Sequence, residues 1–194
     1  MKRSISAGLA IVALVCCQNP AKNREQTESV KFPSQQQFVK SPIRNRIRLE
    51  LNAPVLQVWG LVGNPGRMNE YSSGLERVET IFTQDGKCKE YTCYFKETEQ
   101  FKPTRGHRST IKWYEPNIGW ASMDDEPNDF ALTDCLTMLT FEEKGGKTIL
   151  TWTQNFNSEQ LDFNKQGFKL ALDEIGTQLI AKFGGKFLEN YVEE

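Results

Sequence analysis

The sequence predicts an α+β domain: one antiparallel sheet of seven strands, interrupted after its first strand by two short helices and closed by a long C-terminal helix. Three observations carry this. The segment Ile43 to Leu51 alternates apolar and charged residues with a period of two, and later segments repeat the strand signal around Gly-, Pro- and Asn-rich turns. After Ser158 the apolar period changes to three and four residues. A chain of 194 residues with 38% hydrophobic content is long enough for one substantial core and too short for two comfortable ones.

The folded part is expected to begin at residue 42. Residues 1–16 have the layout of a secretory signal, with Lys2 and Arg3 before an uncharged, mainly apolar run from Ile5 to Val15, too short to span a bilayer. The sequence Leu14-Val15-Cys16-Cys17 resembles a bacterial lipoprotein signal, in which the cysteine after the cut receives lipid. Cys17 is the expected acceptor, which implies a membrane-anchored protein of the bacterial cell envelope. An ordinary cleaved signal, giving a secreted or periplasmic soluble protein, is the alternative. Residues 17–41 are rich in Gln, Ser, Asn, Lys and Glu without a sustained apolar period, and read as a lipid-anchored disordered tether.

In the first strand Ile43, Ile47, Leu49 and Leu51 share one face, while Arg44, Arg46, Arg48 and Glu50 share the other, which reads as the wet face of a half-buried strand. Pro54 suits the first turn of a helix. Val55, Val58, Trp59 and Val62 then fall at i, i+3, i+4 and i+7, until Gly63-Asn64-Pro65-Gly66 breaks the helix and a second short one carries Met68 and Tyr71. The strands LERVETIF and CKEYTCYFKE flank Asp85-Gly86, a strong hairpin signal. RSTIKWY and GWASM flank Glu115-Pro116-Asn117, and FALTDCLTMLTFEE and KTILTWTQNF flank Gly145-Gly146. Phe168, Leu172, Ile175, Leu179, Phe183 and Phe187 then predict a helix running to the C-terminus, with a possible kink at Gly184-Gly185.

The segments IRLELNAPVLQVWGLV, MNEYSSGLERVE, WYEPNIGWASM and MLTFEEKGGKTILTWTQNF, spread from Ile43 to the final helix, resemble the START-like (SRPBCC) superfamily and, within it, the polyketide cyclase/dehydrase and lipid-transport family. The resemblance implies a helix-grip fold, in which a curved sheet wraps the C-terminal helix and leaves a cavity between them. Family members hold lipids, sterols, polyketides or other apolar molecules there, and some are enzymes. Trp59, Tyr91, Tyr94, Trp113, Trp120, Trp152, Phe168, Leu172 and Ile175 are the candidate cavity residues.

Chemistry is less well supplied. The balance of 24 basic and 25 acidic residues gives no field for nucleic acid, and no nucleotide-binding, metalloprotease or zinc pattern is present, so no cofactor or metal is expected. The single histidine, His107, lies in a polar run that reads as a rim or loop. Asp134 is the other acid/base candidate: it shares parity with Leu132, Leu136 and Met138, but the opposite parity is nearly as apolar, so periodicity does not choose which face turns inward. Asp124, Asp125, Glu126 and Asp129 read as an exposed loop. Cys88 and Cys93 are expected on opposite faces of a regular strand. The expected function is non-catalytic binding or transport of a lipid or other small hydrophobic ligand; the alternative is a cyclase, dehydratase or hydrolase using Asp134 or His107.

Overall fold

The computed structural model describes residues 31–99 and 101–193. The signal sequence, Cys17 and the first part of the tether lie outside the described residues. In chain order the elements are β1 (Ile43–Leu51), α1 (Val55–Val62), a 3-10 segment (Pro65–Glu70), β2 (Leu75–Phe82), β3 (Cys88–Phe95), β4 (His107–Glu115), β5 (Gly119–Asp124), β6 (Leu132–Lys144), β7 (Lys147–Ser158), α2 (Leu161–Phe183) and β8 (Gly185–Val192). They build one eight-stranded antiparallel sheet in the order β2-β3-β4-β5-β6-β7-β1-β8, with α2 packed against it. This is the helix-grip arrangement.

The strand count is eight rather than seven because the C-terminal helix stops earlier than its apolar period suggests. Gly184 has φ 70° and Gly185 φ 126°, backbone that ends the helix and reverses the chain. A Cβ on Gly185 would lie 1.9 Å from the Glu50 carbonyl oxygen, so glycine is required for the close approach to β1. Leu51 then pairs with Gly185 and Leu49 with Phe187. Phe187 still reaches the core, but from a strand: its ring lies over Gly176 of α2, where a Cβ would come within 2.4 Å of it. The charged face of β1 is therefore not a free solvated stripe. Arg46 pairs with Glu189 at 2.5 Å, Arg44 with Glu193, and the Arg46 guanidinium lies 5.4 Å from the Tyr191 ring.

Packing begins before residue 42. A 3-10 turn at Gln35–Gln37 leads to Val39, which is buried with Ala121, Leu136 and Met138 on the convex side of the sheet, and Phe32, Phe38, Trp113 and Met123 pack around them. The last part of the expected tether thus forms a strap over the sheet. The concave side holds the main core, where Ile47, Leu49, Leu139, Phe141, Leu150, Leu172 and Leu179 meet beneath α1 and α2.

One irregularity in β6 decides which residues face which side. Thr133 pairs with Asn157 and Leu136 with Asn155, so β6 carries one more residue than β7 across that interval, a β-bulge. Asp134 sits in it with φ 50°. The extra residue lets Leu132 and Cys135 both face inward against Phe156, after which Leu139 and Phe141 point in and Leu136 and Met138 point out. A second bulge changes β3. Phe82 pairs with Cys88 but Ile81 with Glu90, which passes over Lys89 and puts Cys88 in the same core as Cys93 instead of on the opposite face. Cys88, Cys93 and Cys135 are all free thiols.

Candidate ligand cavity

Between the concave face and α2 lies a cavity of about 110 Å³. Its walls come from β3 (Tyr91, Cys93, Phe95), β4 (His107, Ser109), β5 (Asp124), β6 (Cys135, Thr137), β7 (Trp152, Gln154, Phe156) and α2 (Phe168, Ala171, Ile175), with Met68, Ser72 and Leu75 at one end. Strand alternation explains the set. His107 and Ser109, Trp152, Gln154 and Phe156, and Cys135 and Thr137 are residues at i, i+2 spacing on the inner face of their strands.

The candidate cavity residues separate into three groups. Tyr91, Trp152, Phe168 and Ile175 line the cavity. Trp59, Trp120 and Leu172 belong to the concave core without lining it. Trp59 packs edge-on against Tyr114 and Phe141, with centroids at 5.5 and 5.2 Å, and so closes one end of the grip. Trp120 is fully buried between Tyr91 and Trp152, and its indole N–H donates to the Val62 carbonyl at 3.4 Å. Tyr94 and Trp113 face the other way. Tyr94 lies under the Arg77 guanidinium, 3.4 Å from the ring centroid, and donates to Glu79; Trp113 belongs to the convex cluster.

Asp134 is likewise outside the cavity. Its carboxylate accepts hydrogen bonds from the Lys40 and Ser41 backbone N–H groups at 2.9 and 2.7 Å, the Ser41 hydroxyl donates to its carbonyl at 2.6 Å, and its own N–H donates to Glu126. These contacts fasten the strap to the bulge, so Asp134 is a structural residue and not an acid/base group of the cavity.

His107 is the reverse case. It opens β4 instead of lying on a loop, and its side chain is only 10% exposed. Its Nε2 is 2.8 Å from Asp124 Oδ2, and the Ser109 hydroxyl donates to the other carboxylate oxygen at 2.7 Å. Asp124 is the last residue of β5 rather than part of an exposed acidic loop, and it shares inward parity with Trp120 and Ser122. The rest of the acidic cluster does stay outside. Asp125 pairs with Arg108 at 2.5 Å, Asp129 accepts from Thr104, and Glu126 holds the bulge.

Burial acts against charge on both members of the pair, yet their mutual attraction outweighs it. Burial lowers the imidazole pKa of His107, but the hydrogen bond to Asp124 and the charges of Asp124, Asp129 and Asp125 raise it above its ordinary value. Burial raises the Asp124 carboxyl, while His107, Cys135 and Ser109 bring it below the usual carboxylate range. Each partner thus favours the charged form of the other across the 2.8 Å contact. The neighbouring thiols stay protonated: burial, then the charge of Asp124, pushes Cys93 up to about 12 and Cys135 well above its ordinary value.

Three lining residues carry a buried polar atom with no hydrogen-bond partner among the described residues: His107 Nδ1, Trp152 Nε1 and Gln154 Oε1. Buried polar groups are nearly always paired, and leaving one unpaired costs about 1–3 kcal/mol. Gln154 was legible in the sequence only through its parity with Trp152 and Phe156, and Asp124 through its parity with Trp120.

Solved structures share this architecture. A START superfamily protein from Mycobacterium smegmatis aligns at 11% identity over 73% of this chain and 97% of its own, with a TM-score of 0.59. The protein XoxI from Bacillus cereus aligns at 12% identity over 71% and 93%, with a TM-score of 0.58. A conserved protein from Geobacillus kaustophilus aligns at 12% over 74% and 98%, with a TM-score of 0.56. No protein-family model and no curated protein matches the sequence. At these identities the likeness concerns the fold alone, the helix-grip arrangement of sheet and C-terminal helix.

Proposed function

We propose that the protein binds a small, mainly apolar molecule in the cavity between sheet and α2, without transforming it. The observation that carries this reading is the cavity of about 110 Å³ itself, lined mainly by aromatic, aliphatic and sulfur side chains from five strands and α2. Phe95, Phe156, Phe168 and Ile175 would hold the body of the ligand, with the Ser109 and Thr137 side chains among the few polar groups of the wall. The volume argues for a small occupant. Drug-sized ligands occupy about 300–1,000 Å³, whereas about 110 Å³ suits a short chain or a single ring better than a long acyl chain. Mass spectrometry of extracts from natively purified protein tests this directly. A bound small molecule in the wild type that disappears in Ala171→Phe, with thermal stability retained, supports it; identical extracts from a folded variant contradict it.

Acid–base chemistry is a second reading, favoured by the 2.8 Å contact of His107 with Asp124. A histidine held by a carboxylate at one nitrogen and unpartnered at the other is arranged for proton transfer. It would require turnover of a cavity ligand that His107→Asn abolishes while binding persists.

The lipoprotein-like signal supports placing this binding domain in the cell envelope, anchored through Cys17 by a strap-terminated tether. Membrane fractionation of Cys17→Ser tests it: release or blocked maturation is expected, and unchanged membrane association contradicts it.

A further inference from the structure

We propose that the strap is a conformational switch for the cavity. Its docking on the convex face holds the β6 bulge, and the bulge holds Leu132 behind the cavity wall on the concave face, so release of the strap loosens that wall at Cys135, Phe156 and Phe168.

Ser41 makes the link on the convex side. It is 3% exposed, and its polar groups are all engaged. Its N–H donates to the Asp134 carboxylate at 2.7 Å, its hydroxyl donates to the Asp134 carbonyl at 2.6 Å, and its carbonyl accepts from Asn155 Nδ2 at 3.0 Å. The Lys40 N–H adds a second bond to the same carboxylate at 2.9 Å. The φ of 50° at Asp134 is left-handed backbone, which a non-glycine residue holds where its neighbours fix it. Here the strap supplies the fixing bonds.

Strand alternation shows what the bulge holds on the concave side. Leu136 points out and Cys135 in; a regular strand continued back from them would turn Thr133 in and Leu132 out. The extra residue reverses this. Leu132, 1% exposed, packs inward with Cys135 and Phe156, against Phe130, Leu161 and Phe168, while Thr133 is exposed. Cys135, Phe156 and Phe168 line the cavity. A bulge that slips by one residue therefore exchanges a leucine for a threonine directly behind that wall. Because β6 begins at Leu132, the slip involves its first residues and leaves the ladder from Leu136 onward in place. Where the cavity holds a ligand, as proposed above, strap docking and ligand binding are linked. The test reads the cavity wall itself and does not depend on a ligand being found.

The test is the rate at which iodoacetamide modifies each cysteine of the folded full-length protein, resolved peptide by peptide by mass spectrometry. Cys135 reports the wall in front of Leu132; Cys88, buried in the main core and not lining the cavity, reports general loosening. Val39→Asp places a charge in the seat formed by Ala121, Leu136 and Met138 and releases the strap, which is read by proteolysis within residues 31–41. Cys135 modification is then expected to rise at least roughly tenfold with Cys88 unchanged, since several hydrogen bonds at the bulge are lost and each is worth about a factor of 2–10. Ser41→Ala removes one of those bonds and should raise Cys135 modification by a factor of about 2–10. Linkage requires the reverse effect as well. Leu132→Ala should speed cleavage of the strap more than Leu139→Ala, a similarly buried leucine of the same strand that lies away from the bulge. If Val39→Asp does not fold, Ser41→Ala and the leucine pair decide the question. A released strap with Cys135 modified at the wild-type rate overturns the proposal. So does a joint rise of Cys88 and Cys135, because the strap then stabilises the fold without addressing the cavity, and so does equal strap cleavage in the two leucine variants.

Discussion

Where β5, β6 and β7 form the middle of the sheet, both faces are dry, for different reasons. The concave face is covered by α1 and α2, large elements that bury continuous apolar surface. The convex face is covered by a strap of irregular chain, held largely by polar contacts: Lys40 and Ser41 N–H to Asp134, Asn155 Nδ2 to the Ser41 carbonyl, and Gln35 to Thr153. An antiparallel sheet with one solvated face shows clean alternation, and one covered on both faces does not. That is the physical reason why β6 reads as apolar at both parities. A strand's pattern reports whether its faces are covered, but not by what.

The sharpest way to break this comparison is to remove equivalent side chains from its two sides. Leu139 and Leu136 are both fully buried, the first on the concave side and the second on the convex. Leu139→Ala and Leu136→Ala should each cost about 2–5 kcal/mol in chemical denaturation. A loss below about 0.5 kcal/mol for Leu136→Ala would show that the convex face is wet and the strap undocked. Asp134→Ala comes next. It removes the acceptor for two backbone N–H groups and places alanine at φ 50°, so a loss of about 1–3 kcal/mol is expected, with faster proteolysis within residues 31–41. Asp134→Asn, which keeps an acceptor and tolerates that backbone, should lose much less. Ser41→Ala removes only the hydroxyl bond to the Asp134 carbonyl and should cost about 0.5–1.5 kcal/mol.

Much of the fold was legible. Alternation located β1, turn chemistry located the hairpins, and the period of α2 was read correctly as far as Phe183. The end of that helix was not, because Phe187 continues the three-and-four spacing while belonging to a strand. What terminates the helix is the positive φ of Gly184 and Gly185, and a Gly-Gly pair reads equally well as a kink or a stop. The cavity was legible in part. Tyr91 and Trp152 were recognised as bulky inward residues, but Tyr94 stands at odd spacing from Tyr91 on the same strand and therefore faces out. The polar residues of the cavity were hardest to find. Asp124 lies among acidic neighbours that are truly exposed, and its inward turn follows only from the strand extending to it. The face of Asp134 stayed open in the sequence because both parities of β6 are apolar, and the single extra residue that resets parity there has no period to betray it.

The concave side also differs from the convex in how it answers pH. The raised pKa of His107 contributes stability that is fully present below its unfolded value, near 6.5, and is lost as pH rises through the folded value. The lowered pKa of Asp124 contributes above its unfolded value, near 3.9, and is lost as pH falls through the folded value. The stability gap between wild type and Asp124→Asn should therefore narrow as pH rises from about 6 to about 9. A gap independent of pH would mean that the pair is not charged. No such dependence is expected for Leu136→Ala on the convex side.

The central claim is that one end of the apolar cavity holds a charge-paired histidine and aspartate. As His107 is the only histidine in the chain, its imidazole can be titrated by NMR without ambiguity. The pair predicts a titration midpoint above the ordinary value near 6.5 that falls in Asp124→Asn, as burial then acts on the imidazole without its carboxylate partner. A midpoint at or below the ordinary value, unmoved by Asp124→Asn, would show that the two side chains do not face each other across the cavity wall.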